Sequence, residues 1–204
     1  MYAASRTPLG FLAGTTLFDV ISHRSSSRVL RGAAVLAATA ATAMAAQFSI
    51  PFDPIPFTLQ QMVVLLGAAA LGARLGAYAQ VLYLVLGVIG LPVFAASPLL
   101  PPGVARLLGP TGGFLLAYPL AAFVTGWLAE RRFDRRYTTS FLAMLGGLTV
   151  VYLGGTAGVA IAPPSIGLEA AIVAVTPFAV ADLLKLIVAA GVLPSLWQLV
   201  ARTR

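Results

Sequence analysis

The chain has 204 residues, of which 59% are hydrophobic and only 9% charged, and its mean hydropathy is +0.95. Soluble domains carry about a quarter charged residues, so the composition is that of a membrane protein. The formal charge of +7 does not mark a nucleic-acid binder, because the arginines lie between apolar runs and not on one basic face with interleaved aromatics, and the lack of cysteine excludes disulfides, thiolate metal sites and cysteine nucleophiles.

Residues 1–29 read as a basic N-terminal extension. "LGFLAGTTLFDVI" is too short and too interrupted to span a bilayer, and "SHRSSSR" after it reads as a flexible linker. Two readings stand for this segment: a poorly ordered tail, or an amphipathic helix on the inner leaflet held by Arg24, Arg28 and Arg31. The single histidine, His23, falls here and is expected to be solvated and not a metal ligand.

Residues 30–204 are expected to form an all-α integral membrane bundle of six transmembrane helices. A span needs about 20 apolar residues. The runs Gly32 to Phe52, Pro54 to Ala73, Leu75 to Ala105, Leu107 to Ala129 and Tyr137 to Leu168 are free of charge and long enough. The sixth, Glu169 to Arg202, is apolar except for Asp182 and Lys185, the only lysine of the chain. The first run, "GAAVLAATAATAMAAQ", also has the look of a signal peptide. Against cleavage stand the long segment before it and a stripe of Ala33, Ala37, Ala41 and Ala45 that lets another helix approach closely.

Orientation follows from the basic residues, which stay on the cytoplasmic side of short loops. With both termini inside, Arg6, Arg24, Arg28, Arg31, Arg74, Arg131, Arg132, Arg135, Arg136, Arg202 and Arg204 are cytoplasmic and only Arg106 lies outside. The inner connections are short, "GARLG" and "ERRFDRR". The outer ones, "IPFDPIPF", "FAASPLLPPGVARLLGPTGG" and "APPSIGLEAAIVAV", are punctuated by proline and are expected to roof a binding site.

Thr176 and Pro177 suit an N-cap and first helical position, so the last helix is expected to begin there at the outer surface, with Asp182 and Lys185 about 8 to 12 Å below. Three residues apart, the two share a helix face. Each costs on the order of 3 kcal/mol at mid-bilayer, which leaves either a salt bridge that fixes packing or a polar recognition point in an outward-opening cavity. Arg106 directly precedes "LLGPTGG", where Thr111, Gly112 and Gly113 open a helix with exposed backbone N–H groups. Either the arginine or this helix start could hold an anion; a lone external arginine among lipid headgroups is the alternative. Walls could come from Phe57, Tyr83, Phe94, Phe114 and Phe178.

The blocks "PFTLQQMVVLLGAAALGARLGA", "YLVLGVIGLPVFA", "LLGPTGGFLLAYPLAAFVTGWLAE" and "PFAVADLLKLIVAAGVLP", in order from Ile50 to Pro194, resemble the BioY family, the biotin-specific S components of energy-coupling factor (ECF) transporters. The resemblance implies a six-helix membrane fold that captures biotin from outside and docks on a scaffold membrane protein and two ATPase subunits. It offers no role for the N-terminal extension. It also implies that Asp182 and Lys185 meet the bicyclic ring, which suits biotin: its ureido group offers N–H donors to Asp182 and a carbonyl acceptor to Lys185. The carboxylate tail would fall to Arg106 or to Thr111, Gly112 and Gly113, with Tyr83 and Phe178 among the walls. The alanine stripe resembles the faces by which such components meet their scaffold.

No GxxxxGK[ST] loop exists, so the chain does not hydrolyse ATP by that route, and no catalytic set is evident. The expected protein is a multi-pass biotin transporter of the bacterial inner membrane. It is not an enzyme and has no cofactor, biotin being the cargo. It works with ECF subunits, or as a homo-oligomer if solitary. The competing class is a proton-coupled secondary carrier using Asp182 and Lys185 as a relay, though no inverted repeat is evident.

Overall fold

A computed structural model of the chain describes residues 16–22, 27–50, 57–96, 102–163 and 165–202. Chain order runs α1 (Leu17–Ile21), α2 (Arg28–Gln47), β1 (Ser49–Ile50), β2 (Phe57–Thr58), α3 (Gln60–Leu71), α4 (Ala73–Val88), α5 (Val104–Leu108), α6 (Gly112–Glu130), a 3-10 turn (Phe133–Arg135), α7 (Tyr137–Ile161), α8 (Gly167–Ala189) and α9 (Val192–Arg202). Among the described residues, four helical stretches are long and apolar enough to cross a membrane: Arg28–Gln47, Gly112–Glu130, Tyr137–Ile161 and Gly167–Arg202. The other two apolar helices, α3 and α4, are shorter. At about 1.5 Å per residue they reach roughly 18 and 24 Å, against a hydrocarbon core of about 30 Å.

The expectation of an all-helical chain needs one correction. Ser49 pairs with Thr58 and Ile50 with Phe57 in a two-residue antiparallel ribbon. Its β-branched and aromatic residues suit extended backbone, and the ribbon pins the entry of α3 to the end of α2.

Helix α6 is the axis of the bundle, packing most extensively on α7 and then on α4 and α3. Its seams are built from residues without bulk. A Cβ on Gly113 would lie 2.8 Å from the Gly158 Cα, and one on Gly126 would lie 2.7 Å from the Ala73 Cα. On the facing helix, a Cβ on Gly147 would stand 3.0 Å from the Ala121 carbonyl. Without a hydrophobic drive between helices in lipid, such close backbone approach maximises dispersion contact. The outward faces carry large apolar side chains, among them Leu153, Ile161, Val173 and Val188.

The N-terminal extension is not separate from the bundle where it is described. Thr16 and Asp19 form a capping box for α1, which buries Leu17 and Val20 in the main apolar cluster and packs on α3. Leu17 and Val20 thus dock α1 on the bundle, and this helix does not lie alone on a leaflet. The segment carrying His23 and Arg24 lies outside the described residues.

Two features fix the end of the bundle that carries Arg74 and Arg131 to Arg136. Glu130 Oε1 accepts from the Ala73 N–H at 2.9 Å, placing a carboxylate at the positive N-terminus of α4. Asp134, 1% exposed, accepts from the Trp197 indole at 2.6 Å and from Arg135 Nε at 3.1 Å, while the Arg135 guanidinium stacks 3.2 Å from the Trp197 ring centroid. The knot ties α9 to the loop between α6 and α7. Burial pushes the Asp134 carboxyl above its ordinary value of 3.8, against the bond from Trp197 and the charge of Arg135.

The start of the last long helix is also corrected. It begins at Gly167, and Pro177 is inside it. The Thr176 hydroxyl bonds back to the Ile172 carbonyl at 2.7 Å and therefore does not cap. Pro177 removes one backbone donor, but the apolar run upstream has enough lipid-facing surface and helix length to carry the helix past it. Residues 167–175, expected in an outer loop, are helical.

Gly113→Ala should destabilise the protein by about 1–3 kcal/mol through overpacking. Gly146→Ala, whose Cβ would meet Leu128 Cδ1 at an ordinary 3.5 Å, should instead be neutral or stabilise by up to about 1 kcal/mol. Thermal melts in detergent read both, and equal midpoints would show that the seam tolerates bulk.

Because folding raises the Asp134 pKa, this group favours the fold most below its unfolded value, and that contribution is withdrawn as pH rises through the folded value. Wild type should lose stability relative to Asp134→Asn as pH is raised from about 4 to 7. Parallel pH profiles would show that Asp134 titrates alike in both states.

Candidate functional site: a cavity between two polar ends

The ribbon and the α7–α8 pairing together build the first polar end. Asp182 and Lys185, one turn apart on α8, form an ion pair at 2.7 Å. Their surroundings complete it. Lys185 Nζ donates to the Thr58 carbonyl at 2.7 Å and stands 3.6 Å from the centroid of the Phe57 ring, so both ribbon residues hold the ammonium. Tyr152 of α7 donates its hydroxyl to Asp182 Oδ2 at 2.6 Å, leaving Oδ1 to Lys185. Asp182 is 4% exposed. A carboxylate so buried is stable only when its oxygens accept charge-assisted bonds, and here each accepts one. The pair sits about 22 to 27 Å along α8 from Gly167 at about 1.5 Å per residue, and thus far deeper from the helix start than the sequence suggested.

The second end is made by α5 and the start of α6. Arg106, the one arginine expected on the outer side, is 5% exposed and lines a cavity at the start of α6. Thr111 lines the same cavity, and its Oγ1 is buried with no hydrogen-bond partner among the described residues. Phe94, Phe114 and Leu115 supply apolar wall; Gln60, Gln61 and Tyr118 supply polar atoms between the ends. Thr58 belongs to both parts, with its side chain on the cavity and its carbonyl on Lys185.

Phenol rings from three helices run beneath this space. Tyr83 is fully buried, accepts from Gln60 Nε2 at 2.7 Å and donates to the Val93 carbonyl at 3.1 Å. It meets Phe94 edge-on at 5.5 Å and Tyr118 at 6.5 Å between centroids. Phe114 meets Tyr152 edge-on at 5.7 Å, joining the cavity wall to the Asp182 cluster.

The sequence-predicted residues therefore divide. Arg106 and Thr111 line the cavity, Lys185 reaches its edge through Thr58, and Asp182 lies behind Lys185. Tyr83 supports Gln60 from behind, and Phe178 packs on Phe57 with centroids 6.4 Å apart, off the cavity wall. Gly112 and Gly113 do not present free N–H groups as a pair. The Gly112 N–H donates to the Gly109 carbonyl at 2.9 Å, and Gly113 is pressed against α7. Their backbone is spent on a tight turn and a helix seam. Of the proposed roof, residues 97–101 and 51–56 lie outside the described residues.

Sequence reasoning missed Gln60, Gln61, Tyr118 and Tyr152. The signal was present, since consecutive glutamines open an otherwise apolar helix and both tyrosines interrupt apolar runs. The alanine stripe splits as well: Ala33 and Ala37 are exposed and Ala41 half-buried, whereas Ala45 is buried against the chain's own bundle and offers no face to a partner.

Comparison with known proteins follows the same lines. The BioY family profile matches residues 16–202. The probable biotin transporter BioY of Pyrococcus horikoshii is 40% identical over 147 residues, covering 72% of this chain and 83% of that protein. The biotin transporter BioY of Thermotoga maritima is 40% identical over 152 residues, covering 74% and 86%. A crystal structure of the S-component for biotin from an ECF-type ABC transporter superposes with a TM-score of 0.73 over 85% of this chain and 95% of that one, at 23% identity, which shows a shared fold. With its profile matched from α1 to the end of α9, the chain belongs to the BioY family.

Proposed function

We propose that the protein captures biotin from the outer side of a bacterial cytoplasmic membrane and delivers it inward as the S component of an ECF transporter. The carrying observation is the cavity's polarity. Arg106 and Thr111, whose hydroxyl has no partner among the described residues, line the cavity with Phe94, Phe114, Leu115 and the polar Gln60, Gln61 and Tyr118, and the Lys185–Asp182 pair lies behind its Thr58 lining. Biotin has the matching order of groups: a carboxylate, an apolar chain, and a fused ureido ring with N–H donors and a carbonyl acceptor. The relatives named as biotin transporters support the same cargo.

Six spans with both termini cytoplasmic agree with the arginine distribution. Arg74, Arg131, Arg136 and Arg202 are exposed, and Arg131 and Arg136 follow the C-terminus of α6, whereas Arg106 precedes its N-terminus. In this reading α3 and α4 cross with help from their flanking segments, and the pocket opens outward. The exposed Ala33 and Ala37, with Ala41, form the close-approach face for the scaffold membrane protein that carries the two ATPase subunits, or for a second copy where the protein acts alone. No residue set for chemistry on the cargo is needed, and the work comes from the partners.

Purified protein should bind labelled biotin, and Asp182→Ala and Lys185→Ala should each weaken it more than tenfold. Each variant leaves the partner charge uncompensated, so a stability loss of about 3 kcal/mol should accompany it. Wild-type affinity in both folded variants would sink the recognition role.

A biotin analogue with a neutral amide in place of the carboxylate should bind wild type roughly ten- to a hundredfold more weakly, the worth of a charge-assisted bond. In Arg106→Ala the same analogue should lose little beyond biotin itself. The four affinities form a cycle that isolates the coupling from general damage to α5. Equal losses in both proteins would remove Arg106 from carboxylate recognition.

A further inference from the structure

Tyr152 is absent from the sequence-derived set, yet it makes one of the shortest polar contacts at the buried carboxylate. Its hydroxyl donates to Asp182 Oδ2 at 2.6 Å, while Lys185 occupies Oδ1 at 2.7 Å. The two donors approach opposite oxygens from different helices, α7 and α8. This arrangement has a geometric consequence. A carboxylate held by Lys185 alone could turn to offer both oxygens to the ammonium. A second donor on Oδ2 fixes the plane of the group and keeps the remaining lone pairs directed elsewhere.

The tyrosine itself is well placed to act as such a stop. Its ring meets Phe114 edge-on at 88°, and Phe114 lines the cavity. On its other side it faces an apolar groove between α7 and α8 with Leu148, Thr149 and Leu183. Among the described residues, Lys185 and Tyr152 are the titratable groups that hydrogen-bond the carboxylate, and Tyr152 is the one whose hydroxyl does so.

We propose that Tyr152 is a positioning residue for biotin recognition: its hydroxyl holds the Asp182 carboxylate in the orientation that accepts a ureido N–H. The inference rests on the biotin reading and adds to it a residue that acts through Asp182. It predicts a selective effect. Losing the hydroxyl harms recognition of the N–H and leaves contacts to the thioether ring, chain and carboxylate in place.

The test compares biotin with two analogues, each methylated on one ureido nitrogen, by equilibrium binding to detergent-solubilised protein. The analogue that loses most affinity in wild type identifies the N–H that Asp182 reads. In Tyr152→Phe, biotin should bind about tenfold more weakly and that analogue should change less than twofold, so the discrimination ratio collapses by about tenfold. A packing role for Tyr152 would weaken both ligands in proportion and leave the ratio unchanged, which overturns the proposal.

Should Tyr152→Phe fail to accumulate, 4-fluorophenylalanine at position 152 fills the volume of the hydroxyl without offering a donor, so the ratio should again collapse by about tenfold; a ratio equal to wild type's overturns the proposal there too. Failure of wild type to bind biotin at all would overturn the functional reading together with this inference. Normal binding with an unchanged ratio would overturn the Tyr152 role alone.

Discussion

The architecture turns on a carboxylate buried inside a membrane-spanning helix. Asp182 is 4% exposed, and an ion in such surroundings demands compensation from several directions. Lys185 supplies charge from the same helix and Tyr152 a donor from α7. Lys185 in turn needs an acceptor beyond Asp182, which is the Thr58 carbonyl, and a ring face, which is Phe57. Those two residues are held by pairing with Ser49 and Ile50. The ribbon between α2 and α3 thereby becomes part of the charge site, and segments more than a hundred residues apart in the chain are tied at one point.

The same demand explains why the seams of α6 lack bulk. For α7 to bring Tyr152 to α8 while Phe114 and Tyr118 reach the cavity, the helices around α6 must pack with their backbones close. Gly113 against Gly158, Gly126 against Ala73 and Gly147 against Ala121 provide that approach. Of the glycines that the sequence suggested as an anion-binding helix start, Gly113 forms the seam between α6 and α7, and Gly112 packs against Leu107 of α5. Thr111, next to them, keeps its hydroxyl on the cavity because the Gly109-to-Gly112 turn consumes the neighbouring N–H instead.

What could be read from the sequence follows from what each signal measures. Hydropathy located the apolar runs because lipid exposure requires them, and the three-residue spacing of Asp182 and Lys185 placed both on one face. Cap chemistry misled at Thr176 and Pro177, since a threonine in a membrane helix satisfies its hydroxyl on the preceding turn and a proline is tolerated there. Residues 16–21 were undervalued because length was the criterion, whereas a five-residue helix needs only a capping box and two buried side chains to dock. Gln60, Gln61, Tyr118 and Tyr152 escaped notice because a polar group in an apolar stretch does not say which face it takes, and the fold shows that Gln60, Tyr83, Tyr118 and Tyr152 come from four helices.

The distribution of satisfied and unsatisfied groups then bears on how the cavity works. At the Asp182 end the fold provides a partner for each oxygen of the carboxylate and for the ammonium, so a ligand there adds to a complete network and must be read by the lone pairs that remain. At the other end the Thr111 hydroxyl is buried with no partner among the described residues, so a ligand oxygen beside it gains a hydrogen bond without displacing one made by them, whereas an N–H donor arriving at Asp182 gains only the increment over an existing network. The two ends are therefore unequal: the Asp182 end is hydrogen-bonded within the fold, and the Thr111 end holds a hydroxyl that the described residues leave without a partner. A ligand with an acceptor at one terminus and N–H donors at the other satisfies both demands, and one carrying only one of these features satisfies half.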